Sequence, residues 1–448
     1  MEQVLNYIDT HKEEYVGLLQ RFCRQPSVSV TGEGIPEMVE MVKEALQNIG
    51  AEPVEYPTGG NPILYAALPG ESPRTFGFYD HYDVQPVEPL EAWIDAPYSA
   101  AIRDGAIFAR GTVDNKNGIA AKICAVDAWQ KVHGTIPCGV KFFIEGEEET
   151  GSPHLEQFAQ EHRELLRCDG FHWESGFKDP GCPPQIEFGV KGMLYVELRV
   201  RCTETDSHSS NAGIVPNPAW RLIWALSTIK GPDDKILIEG FYDGVQPPTQ
   251  KDLDILEQDP FDEALFKKSL GLTGFIGGLT GKELLKKHYY MPTANICGLC
   301  AGYTGEGSKT VLPAQASVKM DFRLVPGQEP ERIFQLLREH LDAHGFSDIE
   351  LIWHSGAKAF RSDPDSVFGR AVVSALNKLF GSTIVHHTLA GTSPMPTFCA
   401  ADHIPVASFG GTSTGANMHA PNEFIYVDSF VDEIKMIAAV MKEISEIN

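Results

Sequence analysis

This sequence predicts an α/β protein: a central, mainly parallel sheet with an α+β domain inserted into it. Three patterns carry the prediction. Up to Gly192, short apolar runs alternate with segments of helical spacing, the arrangement of strand and crossover helix in a parallel sheet. From Met193 to Ser355, the strands instead alternate apolar and polar residues, the mark of a sheet with one wet face. After about Gly356, helical spacing returns and continues to the last residues. The division that follows is residues 1–192 plus 356–448 for the first domain and 193–355 for the insertion.

Taken in order, Val4, Leu5, Ile8, Tyr15, Leu18, Leu19 and Phe22 predict one amphipathic helix ending before Pro26. A second helix is expected around Met38 to Leu46, then strands at Ile63–Leu68 and Thr75–Phe78. The latter runs into Tyr79-Asp80-His81-Tyr82-Asp83-Val84-Gln85-Pro86, where Pro86 stiffens the exit. Asp114 precedes the helical run Ile119, Ile123, Val126, so it belongs to a loop or a helix entry. The strand Val140–Ile144 leads directly into Glu145-Gly146-Glu147-Glu148-Glu149-Thr150-Gly151. In the insertion, Leu194, Val196, Leu198 and Val200 form one apolar face, as do Val318, Met320, Phe322 and Leu324. Lys319, Asp321 and Arg323 lie on the opposite face of that second strand. Pro330–Leu341, Val367–Phe380 and Phe430–Ile444 read as helices, and Gly231 to Thr293 is the least readable stretch.

A chain of 448 residues accommodates two domains, and 42% hydrophobic residues suffice for a sizeable core. The net charge of −24 argues against nucleic acid or an anionic membrane as partner and suits a cytoplasmic protein. Nine scattered cysteines fit reduced thiols better than a disulfide framework. The pair Cys297 and Cys300 lacks the second pair a zinc site needs, and a role in strand packing is expected. No secretory leader, membrane-spanning run or internal repeat is expected.

Histidines and carboxylates fall at strand ends or loops in the order His81, Asp83, Asp114, Glu148, Glu149, Glu174, His419. In parallel sheets, sites form at the carboxyl ends of strands. Two histidines with several carboxylates suit a pair of divalent metals with mixed nitrogen and oxygen ligands. Such a pair leaves one more carboxylate to move a proton. Taken singly, His419 and Glu174 read as ordinary surface residues. The glutamate run differs, because it follows a buried strand and is bounded by Gly146 and Gly151.

Several motifs together resemble the M20 family of metallopeptidases. They are Gln25-Pro26-Ser27-Val28-Ser29, His81 to Pro86, Ala109 to Lys116, Gly146 to Ser152 and His172 to Ser175. Gly302 to Pro313, Phe322 to Pro326 and His419 to Glu423 complete the set. The resemblance implies a catalytic domain with an inserted lid and dimerisation domain, working as a homodimer. It also implies two divalent metals, zinc first and manganese or cobalt as alternatives. His81 and Glu174 would hold one metal, Glu149 and His419 the other, and Asp114 would bridge them. Asp83 would orient His81, and Glu148 would act as general base. His208 matches a lid histidine that reaches the neighbouring subunit's site, and Arg323, Thr310 and Thr392 match positions that grip a substrate carboxylate. The Arg323 guanidinium suits bidentate carboxylate binding on chemical grounds too. Asp80 and Asn117 stand where the family often has glycine, and Thr392 where its dipeptidases have serine. The expected activity is dipeptide hydrolysis. An N-acyl amino acid deacylase with the same machinery and a non-catalytic homologue are the alternatives.

Overall fold

The computed structural model describes residues 1–174, 176–259 and 261–447. Ser175, in the segment that follows His172, lies outside them. The chain forms two compact units: Met1–Gly189, Ser362–His387 and Pro394–Asn448 in the first, Val190–Arg361 and Thr388–Ser393 in the second.

The first unit is built on an eight-stranded sheet. Its order is Val54–Tyr56, Ile63–Leu68, Cys138–Glu145, Ser72–His81, Gly170–Trp173, Val406–Ser408, Gln185–Glu187, Ile384–His386. The four strands from Cys138–Glu145 to Val406–Ser408 are mutually parallel, and antiparallel pairing appears toward either side. Ser72–His81 is buried at every residue from Phe76 to His81, as a central strand covered on both faces must be. The helices Lys116–His133 and Val427–Ser445 bury most of their circumference in the same core. They are joined by the Trp129 indole N–H, which donates to the Ala438 carbonyl at 3.1 Å. Lys116–His133 stops at Gly134, whose positive φ of 77° lets its N–H return to the Gln130 carbonyl.

Where the spacing from Val4 to Phe22 predicts one helix, there are two, Glu2–Thr10 and Lys12–Arg24. The break has a local cause. The Thr10 hydroxyl donates to the carbonyls of Asn6 and Tyr7, and the His11 ring stacks on Tyr7 at 3.8 Å. These side chains occupy carbonyls that a continuing helix would use.

The second unit is a four-stranded antiparallel sheet in the order Thr293–Ala301, Gln315–Leu324, Gly192–Arg201, Glu350–Ala357. Its apolar face, with Leu194, Leu198, Val318 and Phe322, packs with Leu222 and Ile229 of helix Pro218–Ile229 and Ile333 and Leu337 of helix Pro330–Ala343. Among the described residues, the stretch between Gly231 and Thr293 holds three short α-helices, Gln250–Gln258, Glu263–Leu270 and Gly281–Tyr290, and the 3-10 turn Ile276–Gly278. Cys297 and Cys300 do lie in a strand, but both are exposed, so the expected packing role is corrected: Thr293–Ala301 is an edge strand, open to solvent from Asn295 to Cys300. Among the described residues, no helix is long and apolar enough to cross a membrane.

Candidate metal centre

The four parallel strands of the first unit all deliver functional side chains at their carboxyl ends. His81 is the last residue of its strand, in register with Glu145. Glu145 ends the next strand, and the glutamate run follows it. Glu174 follows Gly170–Trp173, and the chain beyond Val406–Ser408 continues to His419. Asp114 stands just before the helix Lys116–His133, and its peptide bond to Asn115 is cis.

Asp114 is the centre of the group. Its Oδ1 lies 3.0 Å from His81 Nε2 and its Oδ2 lies 2.7 Å from His419 Nε2. His81 Nε2 is also 3.4 Å from Glu174 Oε2, and His419 Nε2 is 3.2 Å from Glu149 Oε2. Asp114, Glu149 and His419 each offer a ligand atom within 4.8 Å of the others. Two sets of donors thus meet at the two oxygens of one carboxylate. Asp83 sits behind them. His81 Nδ1 lies 3.0 Å from the Asp83 main-chain carbonyl and 3.3 Å from its Oδ1, and the Asp83 carboxylate accepts the backbone N–H groups of Glu148 and Glu149 at 3.3 and 3.1 Å. One buried residue, through its carbonyl and its carboxylate, therefore sets both the imidazole and the glutamate loop.

The glutamates of the run are sorted by their neighbours. Glu147 accepts from the His154 ring at 2.7 Å and is turned to that side. Glu149 accepts from the Gln85 backbone N–H at 3.2 Å and from the Gln85 side-chain amide at 3.0 Å. Glu148 has no such tie among the described contacts. Burial first, and then the charge of Glu174, hold its carboxyl well above the usual range.

The donor set fits a divalent cation. Burial, with Asp114, Asp80 and Glu145 as neighbours and His81 opposing, pushes Glu174 up to about 8. Its Oε2 is buried and makes no hydrogen bond. His419 is raised to about 10 by its contacts with Asp114 and Glu149. His81 is raised well above its ordinary value, since Glu174, Asp114 and Asp83 outweigh the burial that lowers it. Carboxylates crowded so closely are held by protons unless a cation replaces them. Backbone strain gathers at the same place: Asn417, His419 and Asn422 have φ of 58°, 60° and 62°, a region non-glycine residues seldom enter.

The remaining predicted residues form two pairs in the second unit. His208 Nδ1 accepts the Ser210 backbone N–H at 3.1 Å, which leaves the ring proton on Nε2, 3.2 Å from Thr310 Oγ1. Arg323 donates from Nη1 to Thr392 Oγ1 at 2.7 Å.

A further pair, Arg110 and Glu423, lies within the quoted motifs, where residue type alone marks no role for it. Arg110 Nη1 donates to Glu423 Oε2 at 2.6 Å, and Glu423 also accepts the N–H groups of Gly111 and Val113. This buried pair ties the approach to Asp114 to the segment just beyond His419. Its signal in the sequence was position alone, four residues before Asp114 and four after His419.

A parallel sheet with clustered histidines and carboxylates at its carboxyl edge defines a metallohydrolase. The family model described as Peptidase family M20/M25/M40 matches residues 77–443, and the chain belongs to that metal-dependent family. An M20 family metallo-carboxypeptidase from Sulfolobus solfataricus is 36% identical, with a TM-score of 0.92 over 97% of this chain and 99% of its own. The Beta-Ala-His dipeptidase of Rattus norvegicus is 27% identical across 100% of this chain and 96% of its own length. A Cys-Gly metallodipeptidase of Schizosaccharomyces pombe is 26% identical across 100% and 99%.

Proposed function

We propose that this protein is a dipeptidase with two divalent metals, zinc the first expectation and manganese or cobalt the alternatives. The observation that carries the reading is Asp114, whose two oxygens each face a different histidine. His81 and Glu174 would hold one ion, His419 and Glu149 the other, with Asp114 available to both. When bound, the ions polarise the scissile carbonyl and lower the pKa of an attacking water toward ~7. Glu148 takes the proton of that water and returns it to the leaving amine, a role suited to a carboxyl whose proton affinity burial has raised. Asp83 holds the His81 ring and the glutamate loop in place. Arg323, steadied by Thr392, grips the free carboxylate of the substrate. Thr310, expected to share in that grip, meets His208 Nε2 at 3.2 Å, and in this reading His208 exchanges that contact for the oxyanion of a neighbouring subunit's reaction.

The partner in this reading is a second copy of the chain, with the second unit as the lid and dimerisation domain. Two features of that unit support it. The edge strand Thr293–Ala301 exposes Ile296 and Leu299, and the helix Pro218–Ile229 exposes Trp220, Ile223 and Trp224. The acidic charge and nine free thiols favour a cytosolic setting.

A carboxypeptidase reading is favoured by the solved structure that is 36% identical. The deacylase alternative uses the same carboxylate grip. One panel separates the three: dipeptides, longer peptides with free carboxyl ends, and N-acyl amino acids, each assayed with zinc, manganese or cobalt. Dipeptides are expected to be hydrolysed with the highest kcat/KM. Preference for long peptides, or for acyl amino acids, would overturn the dipeptidase reading in favour of the corresponding alternative.

A further inference from the structure

Behind the candidate ligands lies a second set of buried polar side chains that no step above uses: Asp80, Asn117, Lys122 and Glu433, none more than 1% exposed. Burying such groups is costly unless they are held by partners. Their partners trace the segments that carry the ligands. Asn117 is three residues beyond Asp114, and its Nδ2 donates to Glu433 Oε2 at 2.9 Å. The same oxygen accepts the backbone N–H of Gly411 at 3.2 Å, in the chain that runs on to His419. Glu433, on helix Val427–Ser445, is thus a single anchor for both segments. On the helix that begins at Lys116, Lys122 Nζ donates to Asp80 Oδ1 at 2.7 Å and to the Tyr79 carbonyl at 2.8 Å. That second tie fastens the strand end bearing His81.

The packing around these ties leaves little slack. A Cβ on Gly411 would fall 2.5 Å from the Ser429 carbonyl oxygen and 3.2 Å from Glu433 Oε2. A Cβ on Gly118 would fall 2.3 Å from Asp80 Oδ1. Asn117 and Asp80 are thus the ends of two buried hydrogen-bonded ties.

We propose that Asn117 and Glu433 are positioning residues for the metal centre: their hydrogen bond, joined through Glu433 Oε2 to Gly411, sets Asp114 relative to His419. The proposal rests on the metal-centre reading above. Partners that orient ligands from behind typically govern metal affinity by 10–100-fold. A tie that served only the fold would cost stability and leave the affinity of the folded molecules untouched.

The test uses the full chain, stripped of metal and titrated with Co2+ alone. Affinity is read by chelator competition and ligand geometry by the visible absorption bands. Asn117→Asp sets a carboxylate against a carboxylate. Glu433→Gln alone keeps, at the place of Oε2, an amide oxygen that accepts from both Asn117 and Gly411. Asn117→Asp should weaken Co2+ binding by ~10–100-fold and shift the bands, and Glu433→Gln should stay within ~3-fold of native. Native affinity and spectrum in folded Asn117→Asp would overturn the proposal, as would a loss in Glu433→Gln as large as that in Asn117→Asp. Should Asn117→Asp not fold, Asn117→Ala carries the same expectation, and unchanged affinity there overturns it equally. A native protein that binds no Co2+ would remove the metal-centre reading itself and this proposal with it, an outcome distinct from a bound metal indifferent to Asn117.

Discussion

Asp114 and Glu148 stand close together and are asked to do different things, so their variants should fail differently. Asp114 contacts both histidines, whereas His419 contacts only Asp114 and Glu149 among the ligands. Asp114→Ala should therefore cost both metals, and His419→Ala chiefly one, by elemental analysis of purified protein. Two tightly held metals in Asp114→Ala would refute the shared ligand. Glu148→Gln should keep the metals and lower kcat by ~10²–10⁴, the usual cost of a lost acid–base group. Full activity in that variant would sink the assignment, and metal loss with unchanged turnover per bound metal would exchange its role with Glu149. At this scale much was legible in the sequence. His81 and the glutamate run directly follow apolar strands, and a parallel sheet presents its chemistry there. The sorting of the glutamates was not legible, because it depends on how the loop folds His154 back onto Glu147 and on Gln85, 64 residues before Glu149. The Arg110–Glu423 pair was hidden for the same reason: its partners are over three hundred residues apart.

Strands and helices with strong periodicity were legible to within a few residues, as with Val367–Phe380, because burial on one face imposes the pattern. The helices between Gly231 and Thr293 leave no clear period in the sequence, although Thr249 and Asp262 cap two of them through their side chains. These helices are short, and the small cluster of Leu256, Leu285 and Tyr290 leaves too few buried positions to show a period. Nor could alternation along Thr293–Ala301 reveal an uncovered edge, since strand period tells which side chains share a face and not what lies against it. A buried acid within a strand is equally silent in sequence, and Glu187 is the example. It closes the strand Gln185–Glu187, is 3% exposed, and its Oε2 has no hydrogen bond. Burial pushes its carboxyl up to about 8 from 4.5. Between those values the folded chain keeps a proton that the unfolded chain releases, so stability falls as pH rises through this window. Each pH unit costs about 1.4 kcal/mol at most. Glu187→Gln removes the titration. Denaturant midpoints should leave the variant more stable than native by a margin that widens from pH 5 to pH 8 and then levels. A constant difference across that range would show that Glu187 ionises freely in the folded chain.

The last expectation concerns the molecule as an assembly. The second unit holds His208, exposed and fixed by Ser210 and Thr310, far in sequence from most of the candidate ligands. A surface histidine of structural use would need no partner subunit. If instead it donates to the oxyanion in a neighbour's site, every active site contains two chains, and His208→Ala should cost about 10²–10³ in kcat, the usual effect of one lost donor. The two cases separate when variants are mixed. His208→Ala and Glu148→Gln are each expected to be nearly inactive as homodimers. In a mixed dimer, the His208→Ala chain keeps its own Glu148 and receives an intact His208 from its partner. The other site collects both lesions. Activity should then rise to about half that of native protein per mixed dimer when sites act independently. The same experiment tests the docking surface, because Leu299→Lys on both chains places a charge on the exposed edge strand. That substitution should yield monomers by sedimentation and abolish the recovery together with native activity. Mixed dimers that form and remain inactive would place His208 in its own subunit's site or outside catalysis. Monomers of Leu299→Lys with native turnover would show that each chain completes its site alone.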